Sequence, residues 1–266
     1  TDAVADVPTI NAANNSGNEN TALAVNIAAA LTDLDGSEAI TGYRVTGVPD
    51  GFTFNKGSNA GGGVWNFAPA DIIGLTVTPP ANYTGTLNLN AIVFNTETPV
   101  SDGEFDTADN NNQASDPFTL TWRPVADTPD ITVNGGIDDA QVKEDGSVVI
   151  PIVATLGAGS SPAAFLTVTV TGINPAWGFS VPPAAGGVYN SAAGTWTVTL
   201  APGAALNTVM TFTPPANSDV DLNGLMATAV ATEPASGTTA SDTDAVRIVT
   251  DAVADVPTIN AANNSG

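Results

Sequence analysis

The chain has 266 residues, a length that suits two domains of ordinary size. Its 27 acidic residues face only five basic ones, with no histidine, for a formal charge of −22. That balance excludes the basic patches that nucleic acid and anionic membranes require, and it favours cations. There is no cysteine, so neither disulfides nor thiolate chemistry can contribute.

In chain order, the opening stretch Thr1 to Gly17 is the first signal, because residues 250–266 repeat it letter for letter at an offset of 249. Self-similarity at a fixed period implies a tandem array. A weaker copy lies between the two. Val4-Ala-Asp6-Val-Pro-Thr-Ile10 recurs as Val125-Ala-Asp127-Thr-Pro-Asp130-Ile131, and again from Val253. The expected organisation is one domain over 1–124, a second over 125–252, and the start of the next repeat over 253–266. The chain starts without methionine and stops inside a repeat, as expected for a piece of a longer array, and no signal peptide or hydrophobic span is visible.

No window carries a helical period. Short runs rich in Val, Thr, Ile and Leu recur instead, broken by Gly, Pro, Asn and Asp, as in an all-β sandwich. In the first unit the predicted strands are A at 7–11, B at 22–31, C at 39–48, D at 63–67, E at 75–78, F at 86–95 and G at 117–123. The second unit gives a matching series at 131–133, 147–154, 165–172, 194–200, 208–213, 224–232 and 243–249. Punctuation is shared: Thr78-Pro-Pro-Ala-Asn82 matches Thr213-Pro-Pro-Ala-Asn217. Seven strands in this order predict two tandem immunoglobulin-like Greek-key sandwiches, cadherin-like and arranged end to end.

The acids fall at predicted sandwich poles. Only six are glutamate and 21 are aspartate, a bias toward turns and calcium ligation. A salt-adapted surface, acidic for solubility alone, is the competing explanation. In unit one the BC loop, Asp33-Leu-Asp35-Gly-Ser-Glu38, offers three acids in six residues. The FG loop, expected over 101–116, adds Asp102, Glu104, Asp106, Asp109 and Asp116, and Asp2 and Asp6 lie in the linker at the same pole. So many carboxylates without Lys or Arg repel one another unless a metal neutralises them. In unit two the opposite pole is rich: Glu144 and Asp145 in the AB loop, then Asp219, Asp221 and Asn223 in the EF loop, with Asp251 and Asp255 in the outgoing linker. The D-x-D-x-N-G run begins like an EF-hand loop but lacks the glutamate at position 12, where Val230 stands. The internal junction offers Glu19 and Asp127, while the BC loop of unit two, residues 156–162, carries no acid.

The pattern Asp33-x-Asp-Gly-Ser-Glu38, with Gly47-Val-Pro-Asp-Gly51, Trp65 and Pro79-Pro-Ala-Asn82, resembles the cadherin-like or Ig-like extender repeats of giant bacterial repeats-in-toxin (RTX) adhesins. Glu144-Asp-Gly before Val148-Val-Ile-Pro-Ile152 resembles the same repeats. The resemblance implies a calcium-rigidified extender, tethered at the outer membrane and exposed outside the cell. It would project a distal ligand-binding region for adhesion and biofilm formation. Its partners would be neighbouring repeats of the same chain, with no nucleic acid, no membrane insertion and a monomer in solution. Unit two lacks the acidic BC loop of the pattern.

An enzyme is not expected, since no nucleophile elbow, P-loop or dinucleotide fingerprint is present. The alternative function is a glycan- or surface-binding module using the FG loop or exposed Trp65, Trp122, Trp177 or Trp196, although core packing is the more frequent fate of a strand tryptophan. Asn14 and Asn82 sit in glycosylation sequons, a motif common by chance.

Overall fold

The computed structural model describes residues 4–97 and 110–259. They form two compact units that divide after Pro124, each an immunoglobulin-like sandwich built of strands and short 3₁₀ turns.

Unit one contains β1 (Thr9–Ala12), β2 (Asn15–Asn18), β3 (Leu23–Ala24), β4 (Ile27–Ala30), β5 (Glu38–Thr46), β6 (Thr53–Phe54), β7 (Ser58–Gly61), β8 (Val64–Phe67), β9 (Thr76–Thr78), β10 (Gly85–Glu97) and β11 (Asn111–Arg123). One layer is a six-stranded sheet in the order β2-β11-β10-β5-β8-β7. The facing layer comes in two pieces, β1-β4 and β3-β9-β6. The break falls at Val25 and Asn26, whose backbone groups bond Leu75 and Ala13. Period-two alternation explains the packing. Leu87, Leu89, Ala91 and Val93 of β10 point inward with Phe118, Leu120 and Trp122 of β11, against Leu23, Val25 and Val77 of the other layer.

Unit two contains β12 (Asp130–Val133), β13 (Asp139–Lys143), β14 (Val148–Thr155), β15 (Phe165–Thr171), β16 (Gly178–Ser180), β17 (Val188–Asn190), β18 (Thr195–Thr199), β19 (Leu206–Thr213), β20 (Leu222–Glu233) and β21 (Thr238–Asp251). Its sheets run β12-β14-β19-β16 and β13-β21-β20-β15-β18-β17. Ile150, Ile152, Met210 and Phe212 face Leu166, Val168, Trp196, Ala229 and Ile248 in the core.

Three features depart from the predicted strands. Each unit has an extra strand running parallel to its last one, β2 beside β11 and β13 beside β21. Asn15-Ser-Gly-Asn18 reads as a turn by composition and pairs because the backbone, not the side chains, supplies the ladder. The run expected as strand D, 63–67, belongs to the sheet of strand C: β8 pairs with β5 and folds back on β7 through Gly61, Gly62 and Gly63, all at positive φ. The strand opposite, paired with β9, is the two-residue β6. Third, β11 begins at Asn111 rather than near 117, so Asp116 lies within a strand instead of the FG loop.

The tryptophans serve the cores. Trp122, Trp196 and Trp177 are 1%, 2% and 5% exposed, which leaves them no face for a sugar. Trp122 packs with Phe52 and Tyr83 and donates its indole N–H to the Thr21 carbonyl at 2.9 Å. Trp65 is half-buried beside Phe54.

Candidate metal centre

Asp2, Asp102, Glu104, Asp106 and Asp109 lie outside the described residues. Among the described residues no three carboxylates converge on a common point. Seven of the fourteen expected ligands that are described, Asp33, Asp35, Glu38, Asp116, Glu144, Asp145 and Asp221, instead accept a backbone amide on the side chain.

In the BC loop of unit one, Asp33 Oδ1 accepts the Asp35 amide at 2.9 Å, and Asp35 Oδ1 accepts both the hydroxyl and the amide of Ser37. These bonds favour the ionised form and hold the Asp35 carboxyl below its ordinary value, the Ser37 hydroxyl first and its amide second. Asp116 Oδ2 accepts the Ala12 amide at 2.8 Å, and its register counterpart Asp244 accepts the Val133 amide at 2.7 Å. Both aspartates tie the first strand of their unit to the last.

Among the linker-facing acids Glu144, Asp145 and Asp221 act likewise. Glu19 is 5% exposed and donates its own amide to the Arg123 carbonyl at 2.8 Å. Its counterpart Glu144 bonds the Asp251 carbonyl through its amide and accepts the Val253 amide on Oε1. Asp145, at positive φ, accepts the Asn217 amide, and Asp221 accepts the Thr250 amide. Asp219, Asp251 and Asp255 are exposed, and Asn223 is an exposed strand residue of β20. Asp127 is half-buried against the glycine loop of unit two; a Cβ on Gly159 would fall 2.9 Å from its Oδ2.

Four oxygen-bearing residues at one end of unit one behave differently. Glu38, Asn95, Glu97 and Asn110 are 7%, 1%, 5% and 5% exposed. Glu38 and Glu97 are direct partners across the β5–β10 ladder, and the Glu97 amide bonds the Asn110 carbonyl at 2.9 Å. The linker crosses them: the Asp6 amide donates to Glu38 Oε1, and Asn95 Nδ2 donates to the Asp6 carbonyl at 2.8 Å. Glu38 Oε2, Asn95 Oδ1 and Asn110 Oδ1 are fully buried and have no protein partner. Orphaned buried oxygens are rare because desolvation is costly without a donor or a cation. Sequence reading reached Glu38 and Asp6 but missed Asn95, Glu97 and Asn110. The available signal was the inward register: Leu87, Leu89, Ala91 and Val93 continue at Asn95 and Glu97 without a change of face.

No known protein family and no curated protein matches the chain. Among solved structures, it is similar to the titin domains z1z2 in complex with telethonin, at 9% identity over 96% of this chain and 100% of that one, with a TM-score of 0.33. It is also similar to the tandem Ig repeats of Dlar, at 12% identity over 92% and 98% with a TM-score of 0.23. BcpA, the major pilin subunit of Bacillus cereus, matches at 7% identity over 91% and 69% with a TM-score of 0.34. None of these TM-scores reaches 0.5, so the assignment of two sandwiches rests on the strand pairing itself.

Proposed function

We propose that the chain is an extender segment of a large surface-displayed bacterial adhesin, in which tandem sandwiches stiffened by calcium hold a distal ligand-binding region away from the cell. The observation that carries this reading is the way the repeated Val-Ala-Asp linker is tied to the sandwiches. Ala5 is 2% exposed, the Asp6 amide is held by Glu38, and the Val253 amide is held by Glu144. A recognition module needs no such anchoring, whereas a rod needs stiff joints. The proline two residues after each linker aspartate restricts the backbone further. The seventeen-residue identity 249 positions apart supports repetition as the organising principle. The burial of three tryptophans removes the main support for a glycan-stacking module.

Calcium is the cation proposed, because the donors on offer are carboxylate and amide oxygens. Melting in EDTA and in millimolar calcium tests this part. A ligand at about a hundredfold over its dissociation constant stabilises by roughly 2.7 kcal/mol per site. A clear rise in melting temperature is expected with calcium, and little with magnesium. Equal melting in EDTA and calcium would leave salt adaptation as the explanation of the acidic surface.

A further inference from the structure

We infer that each period of the array holds one buried calcium site inside unit one, built from Glu38, Asn95, Glu97 and Asn110, and that unit two has lost it. The inference rests on the calcium part of the reading above but places the ion away from the exposed loop aspartates.

The donor set is all oxygen: two carboxylates and two amide carbonyls, each more than nine-tenths buried. Three oxygens of the set, Glu38 Oε2, Asn95 Oδ1 and Asn110 Oδ1, have no hydrogen-bond partner. The ladder brings the set together, since Glu38 opposes Glu97, Asn95 precedes Glu97 by one inward step, and Asn110 bonds the Glu97 amide. Both amide nitrogens and oxygens could have been spent on one another; instead Asn95 turns its NH₂ to the Asp6 carbonyl, which leaves Oδ1 for another partner. The only ion pair among the described residues joins Arg247 to Asp139, so neither buried carboxylate is balanced by a base there. A hard divalent cation answers both the missing donors and the missing charge, and calcium accepts such mixed carboxylate and amide coordination more readily than magnesium.

Unit two supplies the internal comparison. Thr96 pairs with Ala39 and Asn111 in unit one, as Thr232 pairs with Phe165 and Thr239 in unit two. Counting from these pairs, Glu97 corresponds to Glu233, Glu38 to Ala164, Asn95 to Ala231 and Asn110 to Thr238. Ala164 and Ala231 are fully buried, so the cage is filled by methyl groups there. The Thr238 hydroxyl oxygen is engaged by the Ala126 amide at 2.8 Å. Glu233 remains as a lone buried carboxylate, with Oε2 unpartnered. One carboxylate without the amide oxygens holds calcium far more weakly, because affinity follows ligand charge and number.

The test is calorimetric titration of the metal-stripped 266-residue chain with calcium chloride, beside the double variant Glu38→Ala, Asn95→Ala. This pair copies the alanines with which unit two already folds. Glu97→Gln is a second variant that keeps the shape and removes one charge. The expected result is one tight site in the parent chain, lost in the double variant and weakened on the order of 10- to 100-fold in Glu97→Gln, with far-ultraviolet dichroism unchanged. If calcium binds the parent and both variants alike, the buried site is overturned while the calcium reading survives through the exposed loops. If the parent binds no calcium, the calcium reading itself fails and the orphaned oxygens are met by buried water.

Discussion

Asp116 separates a structural carboxylate from a metal ligand. Its Oδ2 accepts the amide of Ala12 at 2.8 Å, and Ala12 is 7% exposed, so no solvent replaces the bond when the side chain is removed. Asp116→Ala leaves a buried N–H unsatisfied, at a cost of about 1–3 kcal/mol. On a unit of 124 residues this lowers the melting temperature by roughly 4–12 °C. Asp116→Asn keeps an acceptor oxygen and loses only the charge, so about half the effect is expected. Thermal unfolding followed by dichroism, in EDTA and in calcium, reads both. Equal losses in the two conditions are predicted, because the carboxylate is engaged by the backbone of β1. A loss confined to calcium would refute this reasoning and make Asp116 a ligand.

Further predictions follow from the same structure. Gly172, at φ 81°, would place a Cβ 2.0 Å from the Gly224 carbonyl oxygen, so Gly172→Ala should destabilise unit two by roughly 1–3 kcal/mol or more in denaturant melts. Trp196→Ala should cost about 3–5 kcal/mol of unit two by the same assay, since the ring is 2% exposed in the core. The Asp35 carboxyl should titrate below the ordinary aspartate value, about 3.9, by NMR, and Ser37→Ala should raise it part of the way, because it removes the hydroxyl, the larger of the two causes, and keeps the amide. A depressed folded value means that this contribution is present at neutral pH and fades as pH falls through the folded pKa. Removing the Arg247–Asp139 pair should change stability by less than about 1 kcal/mol, as both side chains are about half exposed.

Much of the fold was legible in the sequence, and the reasons are specific. Residues 86–95 alternate, residues 147–154 form a run dense in Val and Ile, and the paired Thr-Pro-Pro-Ala-Asn segments mark the same turn twice, with Asn82 and Asn217 both at positive φ. The parallel strand β2 was not legible, because parallel pairing of a polar segment leaves no mark on composition; β13 does alternate, with Ala140 and Val142 buried, but alternation does not name β21 as its neighbour. The sheet membership of residues 63–67 was not legible either, since alternation tells which face is buried and not which neighbour a strand takes. For the candidate site, counting acids drew attention to exposed turns, where Asp33, Asp35, Asp145 and Asp221 hold backbone amides. The residues of the buried set sit at or beside strand ends, and two of the four are asparagines, which a charge count passes over.

The central claim concerns reach, and small-angle X-ray scattering on two full periods tests it most directly. The longest strands have 13 and 14 residues, so each unit spans about 40 Å at about 3.3 Å per residue. Four such units would reach on the order of 160 Å if they stood end to end. The account predicts a maximum dimension near that value with calcium, and a shorter or more heterogeneous one in EDTA. A compact particle in both conditions, with the units folded on one another, would contradict an extender.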